Sequence, residues 1–250
     1  KSWKIAVLIP DSENDPFWAQ PKAGILRAKK ALQDYKVTID FYPFKDADPN
    51  HFNSCAYEIL SKQYHGLLIS PTFLKEGKKI LKKCEERHLP YIQINTFLER
   101  KSKYFLSYIG QNSYDSGMLA AKLIDFGVDE NASTMILHLE KETENAKYLV
   151  DKENGFINFF LKKKKRKINI IKSSFGNVFD KKGLYEYLKK TLEKTPNIQG
   201  IFVTTSKLFH IVPILKKLKR TDIKLVGFDL IDNNYKDDGY RSVECCASAI

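Results

Sequence analysis

Short, β-prone apolar runs alternate with longer amphipathic stretches along almost the whole chain, and no other feature constrains its fold as strongly. Runs such as Ala6–Ile9 (AVLI), Gly66–Ile69 (GLLI) and Gly200–Val203 (GIFV) are too short for helices and almost continuously apolar. That is the pattern of strands covered on both faces, as in a parallel sheet. The stretches between them repeat with helical period; in the first, Ile25, Ala28 and Leu32 share a stripe while Arg27, Lys30 and Gln33 lie elsewhere. Strict alternation of the two kinds marks βαβ units, so the expected fold class is α/β with doubly wound parallel sheets.

The pattern occurs twice. In the first half we read strands over Lys4–Ile9, Val37–Tyr42, Gly66–Ser70 and Tyr91–Ile94, with helices over Phe17–Gln33, Phe52–Gln63 and Lys75–Arg87. An extended piece, Leu106–Ile109, then leads to helices over Tyr114–Phe126, Ala146–Leu161, Lys181–Glu193 and Lys207–Leu218. These alternate with strands over Thr134–Leu139, Ile168–Lys172, Gly200–Val203 and Lys224–Gly227. At 250 residues the chain exceeds the usual size of a single core. We therefore expect two lobes, residues 1–108 and 109–234, with Leu106–Ile109 carrying the chain between them, and residues 235–250 returning to the first lobe.

Charge and cysteines narrow the function classes. The net charge of +12 and the run Lys162–Lys167 (KKKKRK) invite a nucleic-acid reading. No aromatic residues interleave with that run as stacking platforms, however, and it reads as a solvated helix end before a strand. No apolar run approaches membrane-spanning length, and Lys1–Pro10 lacks the apolar core of a secretory signal. Cys55, Cys84, Cys245 and Cys246 form no CxxC pair and read as reduced thiols, which favours the cytoplasm.

Chemistry in such sheets gathers beyond the carboxyl ends of the strands, where loops and helix N-termini offer unpaired donors. After the first strand, the segment from Asp11 to Trp18 sets carboxylates and an amide, Asp15 among them, beside Phe17 and Trp18. Flat apolar faces with bidentate acceptors suit a polyhydroxylated ring. The same residues also fit a structural role, with Asp15 as helix N-cap, Pro16 as first helical residue and the aromatics in the core. Further strand-end candidates are Pro71, Thr72, Asn95, Thr96 and Gln111, then Glu140, Lys152, Thr204, Thr205 and Asp229. Asp229 either faces a ligand or caps the succeeding segment of chain. The sequence contains no glycine-rich phosphate loop after a strand, no HExxH and no GxSxG. His51, His65, His88, His138 and His210 are scattered without metal-ligand spacing and read as surface or interior histidines. We expect no enzyme, metal or cofactor.

Seven segments in order carry a family likeness: KIAVLIPDSENDPFWAQPKAGILRAKKAL, GLLISPTF, PYIQIN, IGQNSYDSGMLAAKLI, NGFINFF, GIFVTTS and LVGFDLI. Together they resemble the ligand-binding domain shared by LacI-type transcription regulators and type I periplasmic sugar-binding proteins, with GQNSYDSG and GIFVTTS closer to the regulators. The resemblance implies two lobes that close on a sugar or related effector. Residue by residue, it points to Asp15, Phe17 and Trp18 in the first-lobe loop and matches Asp229 to the usual acid. Asn95 stands where an aspartate is frequent, Lys152 where an arginine is, and Thr205 where an asparagine is. Lysine lacks the planar fork of arginine, so these departures imply a ligand unlike simple pentoses and hexoses, or lost roles.

After GFDLI the stretch Asn233–Asp238 is too short for the helix and strand that the resemblance implies. Either the returning strand is absent, or a disordered stretch near Tyr235–Asp238 is missing from the sequence; we expect the second, with Glu244–Ile250 in a first-lobe helix. The function implied is the effector domain of a dimeric transcription regulator whose helix-turn-helix precedes Lys1 and meets operator DNA. The alternative is an exported sugar-binding protein, or the sensor domain of a membrane receptor.

Overall fold

A computed structural model describes the chain except residues 1, 14–15, 46–47, 141–145, 164–167, 230–242 and 247–250, with backbone alone for Pro16 and Val243–Cys246. The chain divides into two compact units, one running to Gly110 and the other beginning at Gln111.

In the first unit the order is β1 (Trp3–Pro10), α1 (Ala19–Ala31), β2 (Val37–Phe44), α2 (Pro49–Ser61), β3 (Gly66–Ile69), α3 (Leu74–Glu86), β4 (Tyr91–Ile94) and β5 (Phe105–Ile109). The strands form one sheet in the order β2-β1-β3-β4-β5, every pairing parallel. The extended piece before Gly110 is thus the edge strand of this sheet.

Successive residues of β1 point to opposite faces and feed two cores. Ala6 and Leu8 join Ile69, Phe52, Ile59, Ile80 and Leu81 under α2 and α3. Val7 and Ile9 join Trp18 and Ile39 on the other face. The stripe expected on α1 is buried only in part. Ile25 is half-buried, whereas Ala28 and Leu32 are exposed and the helix contains no fully buried residue. The thin four-residue core on this face leaves α1 little to pack into.

The second unit repeats the plan with α4 (Ser113–Gly127), β6 (Ser133–His138), α5 (Lys147–Lys162), β7 (Asn169–Ser174), α6 (Lys181–Lys194), β8 (Ile198–Val203), α7 (Val212–Lys217), β9 (Lys224–Phe228) and β10 (Val243–Cys246). Its sheet runs β10-β9-β8-β6-β7, again all parallel. Read outward from the first strand of each half, the two sheets wind identically. Met135 and Leu137 of β6 pack beneath α6 and α7 with Leu184, Leu188 and Leu215. Ile136 faces the opposite way, with Ala120, Ile124, Phe156 and Phe202 under α4 and α5.

At Gly117 of α4 and Gly155 of α5 these helices approach backbone to backbone. A methyl group on Gly117 would collide with the Lys152 carbonyl, and one on Gly155 with the Tyr114 carbonyl.

Three local differences from the sequence reading have physical causes. The helix expected over Lys207–Leu218 is a 3₁₀ turn, Lys207–His210, followed by α7, because Pro213 lacks the donor and the space to continue a helix from upstream. The helix expected from Phe17 similarly opens as a 3₁₀ turn, Pro16–Trp18. The third concerns the tail, where Val243–Cys246 is a strand beside β9, with Val243 opposite Leu225 and Cys246 opposite Phe228, not part of a first-lobe helix. The open edge of β9 offers backbone partners that a short VECC segment satisfies more readily than it could a helix. Tyr235–Asp238, where omitted residues were expected, lies outside the described residues.

Candidate functional site

Both sheets reverse direction of winding beside their first strand, between β1 and β3 and between β6 and β8. Crevices at such switch points, outside the carboxyl ends of the strands, are where open parallel sheets bind ligands.

In the first unit the β1 end carries Asp11, whose Oδ1 accepts from the Glu13 amide at 3.3 Å. Asp15 lies outside the described residues. Trp18 is 3% exposed and belongs to the core with Val7 and Ile9, while half-buried Phe17 meets its ring edge-on at 5.1 Å. Beyond β3, the Ser70 amide donates to the Leu8 carbonyl at 2.9 Å, and the buried hydroxyls of Ser70 and Thr72 lie 3.2 Å apart.

Asn95, just beyond β4, adopts φ of 63°, a left-handed backbone that asparagine tolerates better than most residues. Its carbonyl accepts from the Tyr108 hydroxyl at 3.1 Å. The loop that holds it is pinned by Gln93, fully buried, whose amide donates to the Leu98 carbonyl at 2.9 Å and accepts from the Leu98 N–H at 2.7 Å. The buried Thr96 hydroxyl has no partner among the described residues.

The second unit concentrates more charge at its strand ends. Lys152 of α5 is 4% exposed; its ammonium donates to the Thr204 carbonyl at 3.1 Å and lies 3.5 Å from the centroid of the Phe228 ring. A hydrogen bond and an aromatic face together hold a charge that burial would otherwise disfavour. Glu140 beyond β6 pairs with Lys207 at 2.5 Å, both nearly buried. The buried Thr205 side chain accepts from the Lys207 amide at 3.5 Å, a long bond. Asp229, just beyond β9, has a left-handed backbone with φ of 64°.

A chain of polar groups runs beneath them. The Thr204 hydroxyl and His138 Nδ1 are 3.0 Å apart, His138 Nε2 and the Glu153 carboxylate 2.8 Å, and Lys172 reaches the other Glu153 oxygen at 2.6 Å. An ionised carboxylate only accepts, so Nε2 carries the proton toward Glu153 and Nδ1 accepts from Thr204. Burial acts to raise the Glu153 pKa, but the hydrogen bonds from Lys172 and His138 outweigh it and hold the carboxyl below its ordinary value. The hydroxyl–imidazole–carboxylate order is that of an activated nucleophile, yet Thr204 is fully buried and no substrate can reach it in this conformation.

The structure therefore brings Glu140, Lys152, Thr205 and Asp229 to the carboxyl end of one sheet, and Phe17, Thr72 and Asn95 to that of the other. Sequence reasoning passed over His138, Glu153, Lys207 and Gln93. His138 ends β6, so the strand-end rule alone would have marked it; Glu153 and Lys207 become relevant only through their partners. Among the described residues no group of three or more metal-ligating side chains is placed to hold an ion. No described helix is long and apolar enough to cross a membrane.

Two identically wound parallel sheets with polar strand ends define the type I periplasmic-binding-protein-like fold. The chain belongs to the periplasmic binding protein domain family, whose sequence profile matches residues 5–236. No curated protein matches it significantly by sequence. Among solved structures it resembles a Bacteroides fragilis protein assigned as a LacI transcriptional regulator, with TM-score 0.85 and 21% identity over 99% of this chain and 85% of that one. It also resembles GanP, a glucose-galactose binding protein from Geobacillus stearothermophilus, at TM-score 0.82 and 16% identity, covering 99% and 85%. An ABC transporter solute-binding protein from Agrobacterium vitis, bound with α-D-tagatopyranose, matches at 0.76 and 20%, covering 93% and 79%.

Proposed function

We propose that this chain is a ligand-binding module for a sugar or sugar derivative, and that it serves as the effector domain of a transcription regulator. The observation that carries the ligand class is the grouping of Lys152, Thr205 and Asp229 with the Glu140–Lys207 pair at neighbouring strand ends of the second unit. Such a mixture of fixed donors and acceptors suits vicinal hydroxyls. The sugars bound by GanP and by the Agrobacterium vitis protein support the same class. Phe17, Thr72 and Asn95, with Asp15, supply the first unit's share in this proposal.

The regulator reading rests on likeness to the Bacteroides fragilis protein. In it, ligand-driven closure alters the packing of a homodimer and hence the spacing of DNA readers carried on a separate helix-turn-helix. The reading places the protein in the cytoplasm. GanP and the solute-binding protein favour a second reading, an exported sugar-binding protein or receptor sensor domain.

A thermal-shift screen against monosaccharides, sugar acids, polyols and nucleosides tests the ligand class. A ligand at 100 times its Kd should stabilise the chain by about 2.7 kcal/mol. Lys152→Gln and Asp229→Asn should abolish the response while remaining folded; a response unchanged in both refutes the site. The full gene separates the two readings: a helix-turn-helix of about 50–60 residues upstream supports the regulator, and a signal peptide or membrane span supports export.

A further inference from the structure

The first unit has a second concavity at the opposite end of its sheet from the candidate site. It lies where β1, β3 and β4 begin and where α2 and α3 end, a strand's length of about 20 Å from Asp11 and Ser70. This cavity of 520 Å³ is walled by Leu60 and Leu89 and rimmed by Lys4, Lys62, His65 and Arg87, with no carboxylate lining it. We propose that it binds a small phosphate-bearing molecule.

Its charges decide the class of ligand. Lys62 is paired with Glu58 at 2.6 Å, on an exposed surface. Neither Lys4 nor Arg87 has a carboxylate partner among the described residues; both line the cavity, and Arg87 gives one guanidinium N–H to the Leu60 carbonyl. Against these cations stand the carbonyl ends of α2 and α3, each equivalent to about half a negative charge. The balance of the lining groups is roughly one net positive charge, the Asp40 carboxylate being engaged by the Tyr64 hydroxyl at 2.8 Å, and an anion is favoured over a neutral sugar.

His65 adds a donor. Its Nδ1 accepts from the Lys4 amide at 3.0 Å, which leaves Nε2 to carry the proton of the neutral ring. Arg87 and Lys4 then offer charge-assisted bonds to phosphate oxygens. The apolar wall of Leu60 and Leu89 leaves room for the organic part of an ester, and the volume falls within the range of small-molecule sites.

Trp3 gives a local reporter, because its ring meets the His65 ring edge-on at 5.2 Å. The chain has two tryptophans, so Trp18→Phe leaves Trp3 as the only tryptophan, read selectively by exciting at the red edge where tyrosine does not absorb. The experiment titrates the parent chain calorimetrically, and Trp18→Phe by fluorescence, with inorganic phosphate and with ribose 5-phosphate at constant ionic strength. Saturable one-to-one binding is expected, with a matching change in Trp3 emission. Lys4→Gln and Arg87→Gln should each weaken it about tenfold. Lys189→Gln in α6, a charge change of the same size in the other unit, should leave it unchanged. Arg87→Gln also loses the Leu60 bond, whereas the Lys4 side chain supports no described contact, so Lys4→Gln separates binding from folding. Absence of saturation by roughly 50 mM of either probe, or equal affinity in Lys4→Gln and the parent, overturns the proposal.

Discussion

Gly155→Ala tests whether the α4–α5 crossing is set by backbone contact. The added methyl would fall well inside van der Waals distance of the Tyr114 carbonyl oxygen and close to the Met118 amide, both backbone atoms that no rotamer change can move. The helices would have to part by about 1 Å to restore ordinary contact. That separation loosens Ala120, Ala121 and Ile124 of α4 from Phe156 and Phe160 of α5, all at most 5% exposed. Overpacking of this kind costs about 3 kcal/mol. Alanine is the better helix former by about 1 kcal/mol, so a net loss of about 2 kcal/mol remains. For a unit of this size it should lower Tm by about 4–8 °C. Gly24→Ala in α1 is the matched control, since its methyl would meet only the flexible end of Arg27, at 3.9 Å. It should leave Tm unchanged or raise it slightly. Calorimetric melting of both variants decides the matter, with the loss confined to the transition of the second unit. Equal Tm for Gly155→Ala and Gly24→Ala would refute the close-crossing argument.

Other perturbations test the site and its frame. Gln93→Met keeps the volume but removes both bonds to Leu98, so it should lower urea-unfolding stability by about 2 kcal/mol; a loss below a few tenths would show that the Asn95 loop is held otherwise. His210 is held down at about 4 by burial, with Lys207 and Lys181 adding repulsion. The unfolded chain therefore takes up a proton near pH 6.5 that the folded chain refuses, and stability present above 6.5 is lost as pH falls toward 4. His210→Gln should flatten that part of the stability profile, and an unchanged slope would show that other groups cause it.

Periodicity alone revealed the α/β alternation, because a strand buried on both faces needs continuous apolar residues and a helix packed on a sheet needs a stripe. Ala6–Ile9 and Gly200–Val203 sit where their composition required, and the carboxyl-end rule alone selects Asn95 and Asp229, both of which have left-handed backbones. Interactions between distant residues left no mark in the sequence. Glu153 is one acidic residue among many until α5 sets it against His138 and Lys172. Gly117 and Gly155 carry no signal of their own until two helices meet at them. The basic character of Lys4, Lys62 and Arg87 is dispersed over more than eighty positions, and only the winding of the first sheet gathers it around one cavity. Local chemistry fixed the type of each element, since backbone preference and burial act over a few residues. Which side chains become neighbours depended on how the sheets are ordered, and that ordering is a property of the whole folded chain.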